Sequence, residues 1–254
     1  MKIDAILSPG ELPALAGCKF HQTICVVFDV LRATSTFVTA LHHGAKEIIP
    51  VGEISEALAL RRERPNLLLG GERNGLRISA EGIDFDLGNS PREYSAGKVR
   101  GRTIVSTTTN GTRALRACAG ARTVLAASFL NLGATADFLV RNEFRDILLV
   151  CAGTRENPAL EDILAAGALC ELLKKRRADF SSLSESAEIA LQTFVRAKEN
   201  LSATVATESE NAQRLLAIPE LRDDVEFCLR RDVCPLVARM KNGRMESGGI
   251  CRAD

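Results

Sequence analysis

Small polar side chains are concentrated in residues 107–112, between an apolar segment and a segment of helix-forming residues. Residues 103–106 predict a buried strand, and residues 113–118 predict a helix with Thr112 as its N-cap. Backbone N–H groups and the positive end of a helix dipole at such a junction favour an anion, such as a phosphate, a carboxylate or a sulfonate. An ordinary helix cap would also explain a single loop of this kind. The residues that we expect to contact the anion are Thr107, Thr108, Thr109, Asn110 and Thr112.

A second polar loop begins at Asp29, directly after the apolar residues 24–28. It continues through Arg32, Thr34 and Ser35 into residues with helical spacing. An ionisable side chain that closes a buried strand of an α/β protein is typical of a functional site, so we favour a chemical role for Asp29. Arg32 is a candidate anion ligand, although many charged loop residues are simply solvated.

Acidic side chains in three of the predicted loops and helix starts have the hard oxygen donors that Mg²⁺ prefers. The candidate metal ligands are Asp29, Glu72, Glu161 and Asp162. Because Mg²⁺ keeps several waters and also bridges to substrate phosphate, one or two carboxylates would suffice. Glu161 and Asp162 lie in the first turn of a predicted helix, where complementing the helix dipole is an equally good explanation.

Strands and helices alternate up to about residue 175, which predicts an α/β fold, layered around a largely parallel central sheet. Ligands of such sheets bind at the carboxyl ends of the strands. Polar loops follow five of the predicted strands, at residues 29–36, 70–75, 107–112, 128–131 and 152–158. We expect all five loops to leave the same end of the sheet and therefore to form one shared site.

The pattern changes after residue 177. Ser182 with Glu185, and Thr207 with Glu210, have the spacing of capping boxes that begin amphipathic helices. Residues 233–240 predict a strand that enters an Asn-Gly turn. We therefore interpret the chain as a single domain of residues 1–254, with a core of residues 1–177. Residues 178–254 form a closely joined C-terminal lobe that either closes over the site or provides the surface of a homodimer.

The composition restricts the kinds of partner. Thirty-three basic and 32 acidic residues give a net charge of +1, and there is one Tyr and no Trp, so nothing indicates nucleic-acid binding. No secretory signal or membrane-spanning segment is visible, and eight scattered cysteines fit reduced thiols better than a disulfide framework. We expect a cytoplasmic protein that binds a small charged ligand through a local cluster of side chains.

Several blocks of sequence, in one order over most of residues 26–170, resemble the 2-phosphosulfolactate phosphatase family. They are Asp29-Val-Leu-Arg-Ala-Thr-Ser-Thr36, Gly70-Gly-Glu-Arg73, Phe85-Asp-Leu-Gly-Asn-Ser-Pro91, Thr107-Thr-Thr-Asn-Gly-Thr112, Ala127-Ser-Phe-Leu-Asn131, Cys151-Ala-Gly153 and Glu161-Asp162. The resemblance implies an Mg²⁺-dependent phosphatase that converts (R)-2-phospho-3-sulfolactate to 3-sulfolactate and phosphate, a step towards coenzyme M. The last 80 residues match only loosely, and residues 74–84 form an extended stretch that departs from the family pattern.

The residues and the resemblance together give one hypothesis for the site. Asp29, Glu72 and either Glu161 or Asp162 hold Mg²⁺, and Arg32 and Arg73 bind phosphate or sulfonate. We predict that Asp29, Arg32, Glu72 and Arg73 are catalytic. The predicted substrate-binding residues are Thr34, Ser35, Asn89, Ser90, Thr107, Thr108, Thr109, Asn110, Thr112, Ser128 and Asn131. Two nucleophiles are left as alternatives: a metal-activated water and the Asp29 carboxylate.

Two other functions agree with the same residues. One is the same chemistry on another small acidic phosphoester, such as phospholactate or phosphoglycolate. The other is a non-catalytic protein that binds sulfonates or phosphorylated acids. A pure anion binder gains nothing from several carboxylates beside its ligand, so the acidic residues favour the phosphatase.

Overall fold

Short strands and helices alternate along the chain, and the computed structural model describes residues 2–15, 21–142, 146–176 and 182–250. The strands are β1 (Lys2–Ile6), β2 (Thr23–Phe28), β3 (Glu47–Pro50), β4 (Leu68–Arg73), β5 (Leu76–Arg77), β6 (Ser79–Ala80), β7 (Ile83–Asp84), β8 (Thr103–Thr107), β9 (Thr123–Ala127), β10 (Asp146–Cys151), β11 (Ser182–Leu183), β12 (Leu236–Lys241) and β13 (Arg244–Ile250). The α-helices are α1 (Ala33–His42), α2 (Ile54–Glu63), α3 (Ala96–Val99), α4 (Gly111–Ala117), α5 (Leu132–Arg141), α6 (Leu160–Arg176), α7 (Glu185–Ala197), α8 (Leu201–Glu208), α9 (Glu210–Leu216) and α10 (Arg222–Leu229). The predicted α/β class is confirmed.

The central sheet of the described residues has the strand order β11-β1-β10-β2-β9-β12-β13-β3-β8-β4-β5. β11, β1, β10, β2 and β9 are mutually parallel, and so are β3, β8 and β4. The hairpin of β12 and β13 lies between these two groups and pairs antiparallel with β9 on one side and with β3 on the other. The C-terminal hairpin therefore joins two parallel half-sheets into one largely parallel sheet.

The two half-sheets run in opposite directions, because three successive antiparallel pairings separate β9 from β3. This corrects the expectation that all the polar loops leave the same end of one parallel sheet. Five strand-to-strand steps separate β2 from β8, and at roughly 20–25° a step the sheet twist rotates the strand direction by about 100–125°. Together with the reversal, this leaves the carboxyl ends of β2 and β8 directed within about 55–80° of each other. Twist of this size offsets more than half of the reversal.

Both faces of the sheet are covered, and alternate residues of β2 belong to different cores. Val26 and Phe28 pack in a cluster with α5, α6 and α7, whereas Cys25 and Val27 pack in a second cluster with α1 and α4. This alternation is what the pleat of a strand buried on two faces requires. The apolar run of β2 thus fixes the position of Asp29 at its end.

Three predicted helix caps were wrong by about two residues. Asn110 precedes α4, and the Thr112 hydroxyl instead donates a 2.8 Å hydrogen bond to the backbone oxygen of Thr108. The side chains of Ser184 and Ser209, rather than those of Ser182 and Thr207, cap α7 and α9. In these two helices a hydroxyl nearer the helix start reaches the free N–H groups.

The predicted Asn-Gly turn is confirmed between β12 and β13. Asn242 and Gly243 have φ angles of 51° and 74°, which are the positive values that a two-residue hairpin turn of this type requires. The division of the chain near residue 177 stays a prediction. In the structure, β12 and β13 lie within the same sheet as the strands of residues 2–151.

The cysteines of the described residues are buried free thiols: Cys25, Cys118, Cys151, Cys170, Cys228 and Cys234. Cys18 and Cys251 lie outside the described residues. Among the helices that the structure describes, none has the length and apolar character needed to cross a membrane.

Candidate active site

A cleft collects side chains from both half-sheets and from the C-terminal helices. Its lining includes six residues that the sequence pattern singles out as site residues: Asp29, Arg32, Glu72, Asn89, Thr109 and Asn110. Arg155, from the predicted loop at 152–158, also lines the cleft. Convergence of the loops that follow β2, β4, β8 and β10 is therefore confirmed. The loop at 128–131 does not line this cleft.

Asp29 follows β2 and is buried, with 8% of its surface exposed. Its Oδ1 accepts a 2.9 Å hydrogen bond from the backbone N–H of Ala33, at the start of α1. Burial raises the pKa of this carboxyl to about 7, and the nearby negative charges of Glu72 and Glu161 add to the shift. Asp29 is thus a carboxylate that a cation would stabilise in its ionised form.

The loop after β8 approaches Asp29 closely because residue 111 is a glycine. A β-carbon at Gly111 would lie 2.7 Å from Asp29 Oδ2 and 2.5 Å from the β-carbon of Ala33. A larger residue would therefore push the loop away from the carboxylate. The glycine in this polar segment sets the distance between the two loops.

Glu72, at the end of β4, is fixed by the loops on either side of it. Its Oε1 accepts hydrogen bonds of 2.9 Å from both the N–H and the hydroxyl of Thr109, and its Oε2 accepts one of 2.7 Å from the Gly75 N–H. The predicted anion-binding loop therefore uses Thr109 to orient a carboxylate. These bonds place Glu72 within electrostatic reach of Asp29.

Arg32 is buried, with 3% of its surface exposed, and is held from the C-terminal part of the chain. Its guanidinium donates a 2.7 Å hydrogen bond to Asp224 Oδ2 and one of 2.6 Å to the Gly75 carbonyl. Asp224, on α10, is fully buried and also accepts hydrogen bonds of 2.7 Å from Ser90 and 2.8 Å from Arg92. Ser90 therefore contributes to the site by bonding to the residue that orients Arg32.

Glu161 and Asp162 open α6 and have different partners. Asp162 accepts hydrogen bonds from the backbone N–H groups of Val30, at 2.7 Å, and Gly153, at 3.0 Å, and thereby ties together the loops after β2 and β10. Burial raises the pKa of Asp162, and the charges of Glu161 and Asp29 raise it further. Glu161 accepts a 2.7 Å hydrogen bond from the Ser209 hydroxyl and one of 3.0 Å from the Asn211 amide.

The donor chemistry of the cleft fits a hard divalent cation held by few protein ligands. Within the described part of the chain, no three His, Cys, Asp or Glu side chains are grouped closely enough to hold a metal ion by themselves. Asp29 and Glu72 nevertheless line one cleft, and burial together with the negative charge of Glu72 raises the pKa of Asp29. One or two carboxylates, completed by waters and substrate oxygens, suit Mg²⁺.

Other predicted site residues use their polar atoms inside the protein. Arg73 donates hydrogen bonds to the Glu72 carbonyl and the Thr107 hydroxyl, and neither Arg73 nor Thr107 lines the cleft. The Thr34 hydroxyl bonds to the backbone oxygen of Asp29, and the Ser35 hydroxyl to that of Val30. These contacts brace the loops, and a direct role on substrate stays a prediction.

Two pairs of predicted residues bond mainly to each other. Thr108 and Thr112 exchange hydrogen bonds through their hydroxyl and backbone groups. Ser128 and Asn131 form a capping box, and the Asn131 amide also donates to the carbonyls of Ala126 and Leu236. Substrate binding by any of these four residues stays a prediction.

Sequence reasoning missed Asp224 and several residues that line the cleft. The predicted loops contain four lining residues that were not named individually: Leu31, Asn74, Gly75 and Thr154. Asn211 and Arg214, outside those loops, were missed altogether. Asn211 and Arg214 belong to α9, a short helix that is distant in sequence from the loops of the predicted site. Asn211 and Arg214 are three residues apart, which places them on one helix face. This spacing was the signal in the sequence that could have identified them as site residues.

The sequence of the chain matches those of known proteins. The sequence model of the family described as 2-phosphosulpholactate phosphatase matches residues 12–243 of this chain. The chain belongs to the 2-phosphosulpholactate phosphatase family. The match includes α9 and α10, so the family region contains the helices that supply Asn211, Arg214 and Asp224.

Relatives in this phosphatase family cover nearly all of the chain. A protein of Thermotoga petrophila described as "probable 2-phosphosulfolactate phosphatase" is 44% identical over 218 residues, which are 86% of this chain and 89% of that protein. A protein of the same description from Carboxydothermus hydrogenoformans is 37% identical over 96% of each chain. One from Clostridium acetobutylicum is 34% identical over 96% of this chain and 100% of its own. The predicted family is confirmed.

Proposed function

We propose that this protein is a phosphoric monoester hydrolase that converts (R)-2-phospho-3-sulfolactate to 3-sulfolactate and phosphate, with Mg²⁺ as its cofactor. The observation that carries the proposal is the meeting of Asp29, Glu72 and Arg32 in one cleft. Membership of the family and the description of the relatives support the choice of substrate. Buried carboxylates beside a guanidinium suit a phosphate ester bound together with a divalent cation.

Asp29 and Glu72 would hold the cation, with Glu161 in the adjoining cavity as a further candidate. When bound, Mg²⁺ would supply positive charge against the oxygens of the transferring phosphoryl group. Arg32 would provide a second positive charge, and Asp224 and the Gly75 carbonyl fix its orientation. Thr109 would keep Glu72 directed into the cleft through two hydrogen bonds. Preorganised charge of this kind is the main source of catalysis in phosphoryl transfer.

Two routes for the attack on phosphorus fit the position of Asp29. Its Oδ1 accepts the Ala33 N–H, whereas its Oδ2 accepts no hydrogen bond from a described residue. Oδ2 is free to attack the phosphorus and displace the sulfolactate oxygen, giving an aspartyl-phosphate that water then hydrolyses. Alternatively, a water in the cleft attacks directly, and Asp29 contributes only to cation binding. Acid-quenched labelling with ³²P-substrate distinguishes the two routes. Label that is bound to the wild-type protein and absent from Asp29→Asn requires the aspartyl-phosphate.

The experiment that tests the function is phosphate release from 2-phosphosulfolactate, 2-phospholactate and phosphoglycolate, each with Mg²⁺ and with EDTA. We expect turnover that requires metal and is fastest on the sulfonated substrate. Equal turnover of all three would keep the phosphatase and reject the sulfonated substrate. Binding of these compounds without turnover would instead identify a sulfonate- or phosphate-binding protein.

Three broader proposals concern the pathway, the cellular location and the oligomeric state. 3-Sulfolactate is the product that places the reaction on a route to coenzyme M, and the buried free thiols support a reducing, cytoplasmic location. We also propose a homodimer, for which the exposed apolar side chains of α7, Ile189 and Val195, offer one surface. Light scattering at two protein concentrations would detect the dimer.

A further inference from the structure

Arg214 and Thr154, here called the wall of the cleft, each carry a polar atom that has no hydrogen-bond partner among the described residues. The Nε atom of Arg214, on α9, and the Oγ1 atom of Thr154, in the loop after β10, are both buried without a hydrogen bond. Both residues line the cleft that contains Asp29. A buried N–H or hydroxyl without a partner is unfavourable, so such atoms are uncommon in folded proteins.

The charge of Arg214 is also uncompensated. Its described side-chain hydrogen bond is a 2.6 Å donation to Oδ1 of Asn211, which is neutral, and the described residues provide no carboxylate within 4.0 Å of its guanidinium. Arg32, in contrast, forms a buried ion pair with Asp224. Arg32 and Arg214 therefore differ, because Arg32 already has an anion and Arg214 has none among the described residues.

We propose that Arg214 and Thr154 bind the sulfonate of the substrate, while Asp29, Glu72 and Arg32 act on its phosphate. This assignment rests on the proposed function and deepens it. A sulfonate offers several oxygens around one sulfur, and a guanidinium edge matches such groups with two parallel hydrogen bonds. The Arg214 Nε–H and the Thr154 hydroxyl would both find acceptors, and the charge of Arg214 would be balanced.

The wall is fixed in position before any substrate arrives. Asn211, one turn before Arg214, accepts a hydrogen bond from the Arg214 guanidinium and donates its amide N–H groups to the Leu31 carbonyl and to Glu161. Ser209, the cap of α9, also bonds to Glu161. Since Leu31 precedes Arg32, these contacts set the distance between the phosphate end and the sulfonate end of the cleft. A rigid spacing allows discrimination between phosphoesters with and without a second anion.

The test compares 2-phosphosulfolactate with 2-phospholactate, in which a methyl group replaces the sulfomethyl group. Arg214→Gln should lower kcat/KM for the sulfonated substrate about 10- to 100-fold, as expected for the loss of a charge-assisted hydrogen bond. The same variant should change kcat/KM for 2-phospholactate by less than about 3-fold. Thr154→Val should act in the same direction with a smaller effect, and Thr154→Ser, which keeps the hydroxyl, should retain most of the activity.

The controls separate a lost contact from a damaged fold. Thr154→Val breaks no side-chain hydrogen bond of the described structure and removes a buried hydroxyl without a partner, so the variant should be no less stable than the wild type. Arg196→Gln removes an exposed arginine of α7 and should leave both substrates unaffected. Equal losses on both substrates in Arg214→Gln and in Thr154→Val would overturn the assignment while leaving the phosphatase intact.

Binding of the product tests the wall independently of turnover. Calorimetry should show that Arg214→Gln weakens binding of 3-sulfolactate at least about 10-fold and leaves binding of inorganic phosphate unchanged. If the wild type releases no phosphate from 2-phosphosulfolactate but shows this pattern, the proposed reaction fails and the sulfonate site stands. Wild-type protein that binds no 3-sulfolactate would overturn the sulfonate site.

Discussion

Replacement of Asp29 by Asn should abolish phosphatase activity and yet stabilise the folded protein at alkaline pH when no divalent cation is present. Asn is close to Asp in size, and its amide oxygen can still accept the hydrogen bond from the Ala33 N–H. The substitution therefore removes a buried negative charge and little else. In the metal-free cleft that charge is unfavourable, because Glu72 and Glu161 lie nearby.

The size of the effect depends on pH through the pKa of Asp29. Burial raises this pKa from its ordinary value of 3.8 to about 7. Between these two values the folded protein keeps a proton that the unfolded chain has lost. The free energy of unfolding contributed by Asp29 is therefore fully present below about pH 4 and is lost as pH rises towards 7, at up to about 1.4 kcal/mol per pH unit. The amide that replaces the carboxyl in Asp29→Asn does not titrate, so the variant shows no such loss.

The assay is urea unfolding of the wild type and of Asp29→Asn in EDTA, at pH 5 and at pH 8. The difference between the two proteins cancels the titration of groups that they share, and the variant should gain on the wild type by a few kcal/mol at the higher pH. Added Mg²⁺ should reverse the order, since saturation to 100 times Kd stabilises a folded protein by about 2.7 kcal/mol. A stability difference that is independent of pH would refute the interpretation of Asp29 as a carboxylate strained by burial.

Two further predictions concern the supports of the site. Asp224→Asn should lower the free energy of unfolding by about 3 kcal/mol, because it breaks a buried ion pair. It should also lower kcat/KM about 100-fold, because Arg32 would be misplaced. Full activity on 2-phosphosulfolactate would show that Arg32 does not need Asp224 to hold it in position. Gly71→Ala should destabilise the protein by about 3 kcal/mol in urea unfolding, since its β-carbon would overlap the Thr107 carbonyl oxygen at a φ of +144°. Gly97→Ala is the matched control in α3, where a β-carbon meets no atom within 4 Å, and an equal loss there would contradict the steric explanation.

Most strands and helices of residues 23–176 were predictable because their signals are local, whereas the short strands β5, β6 and β7 gave no clear signal. The apolar run that becomes β2 and the 3.6-residue spacing that becomes α5 report the burial of neighbouring residues directly. The position of the hairpin of β12 and β13 was not predictable in this way. Its sequence predicts a strand, a turn and a second strand equally well at the edge of a sheet or at its centre. Insertion between β9 and β3 depends on contacts over 100 residues apart in sequence.

The same distinction between local and distant signals applies to the candidate site. Asp29 and Glu72 were found because each comes within three residues of the end of an apolar run, at residues 24–28 and 67–69, which is a local pattern. Asp224 gave no such signal, because an acidic residue in the first turn of a helix usually complements the helix dipole. Its burial beside Arg32, 192 positions away in the sequence, is visible only in three dimensions.

The C-terminal residues 182–250 complete the cleft rather than merely covering it. Among them, Asp224 forms an ion pair with Arg32, and Ser209 and Asn211 donate hydrogen bonds to Glu161. Arg214 lines the cleft itself. Their hairpin also joins the half-sheet that carries Asp29 to the half-sheet that carries Glu72. Because both carboxylates are placed by this one junction, the geometry of the proposed cation site depends on residues that touch neither carboxylate. Loose packing of the hairpin would therefore reduce activity before it unfolds the protein.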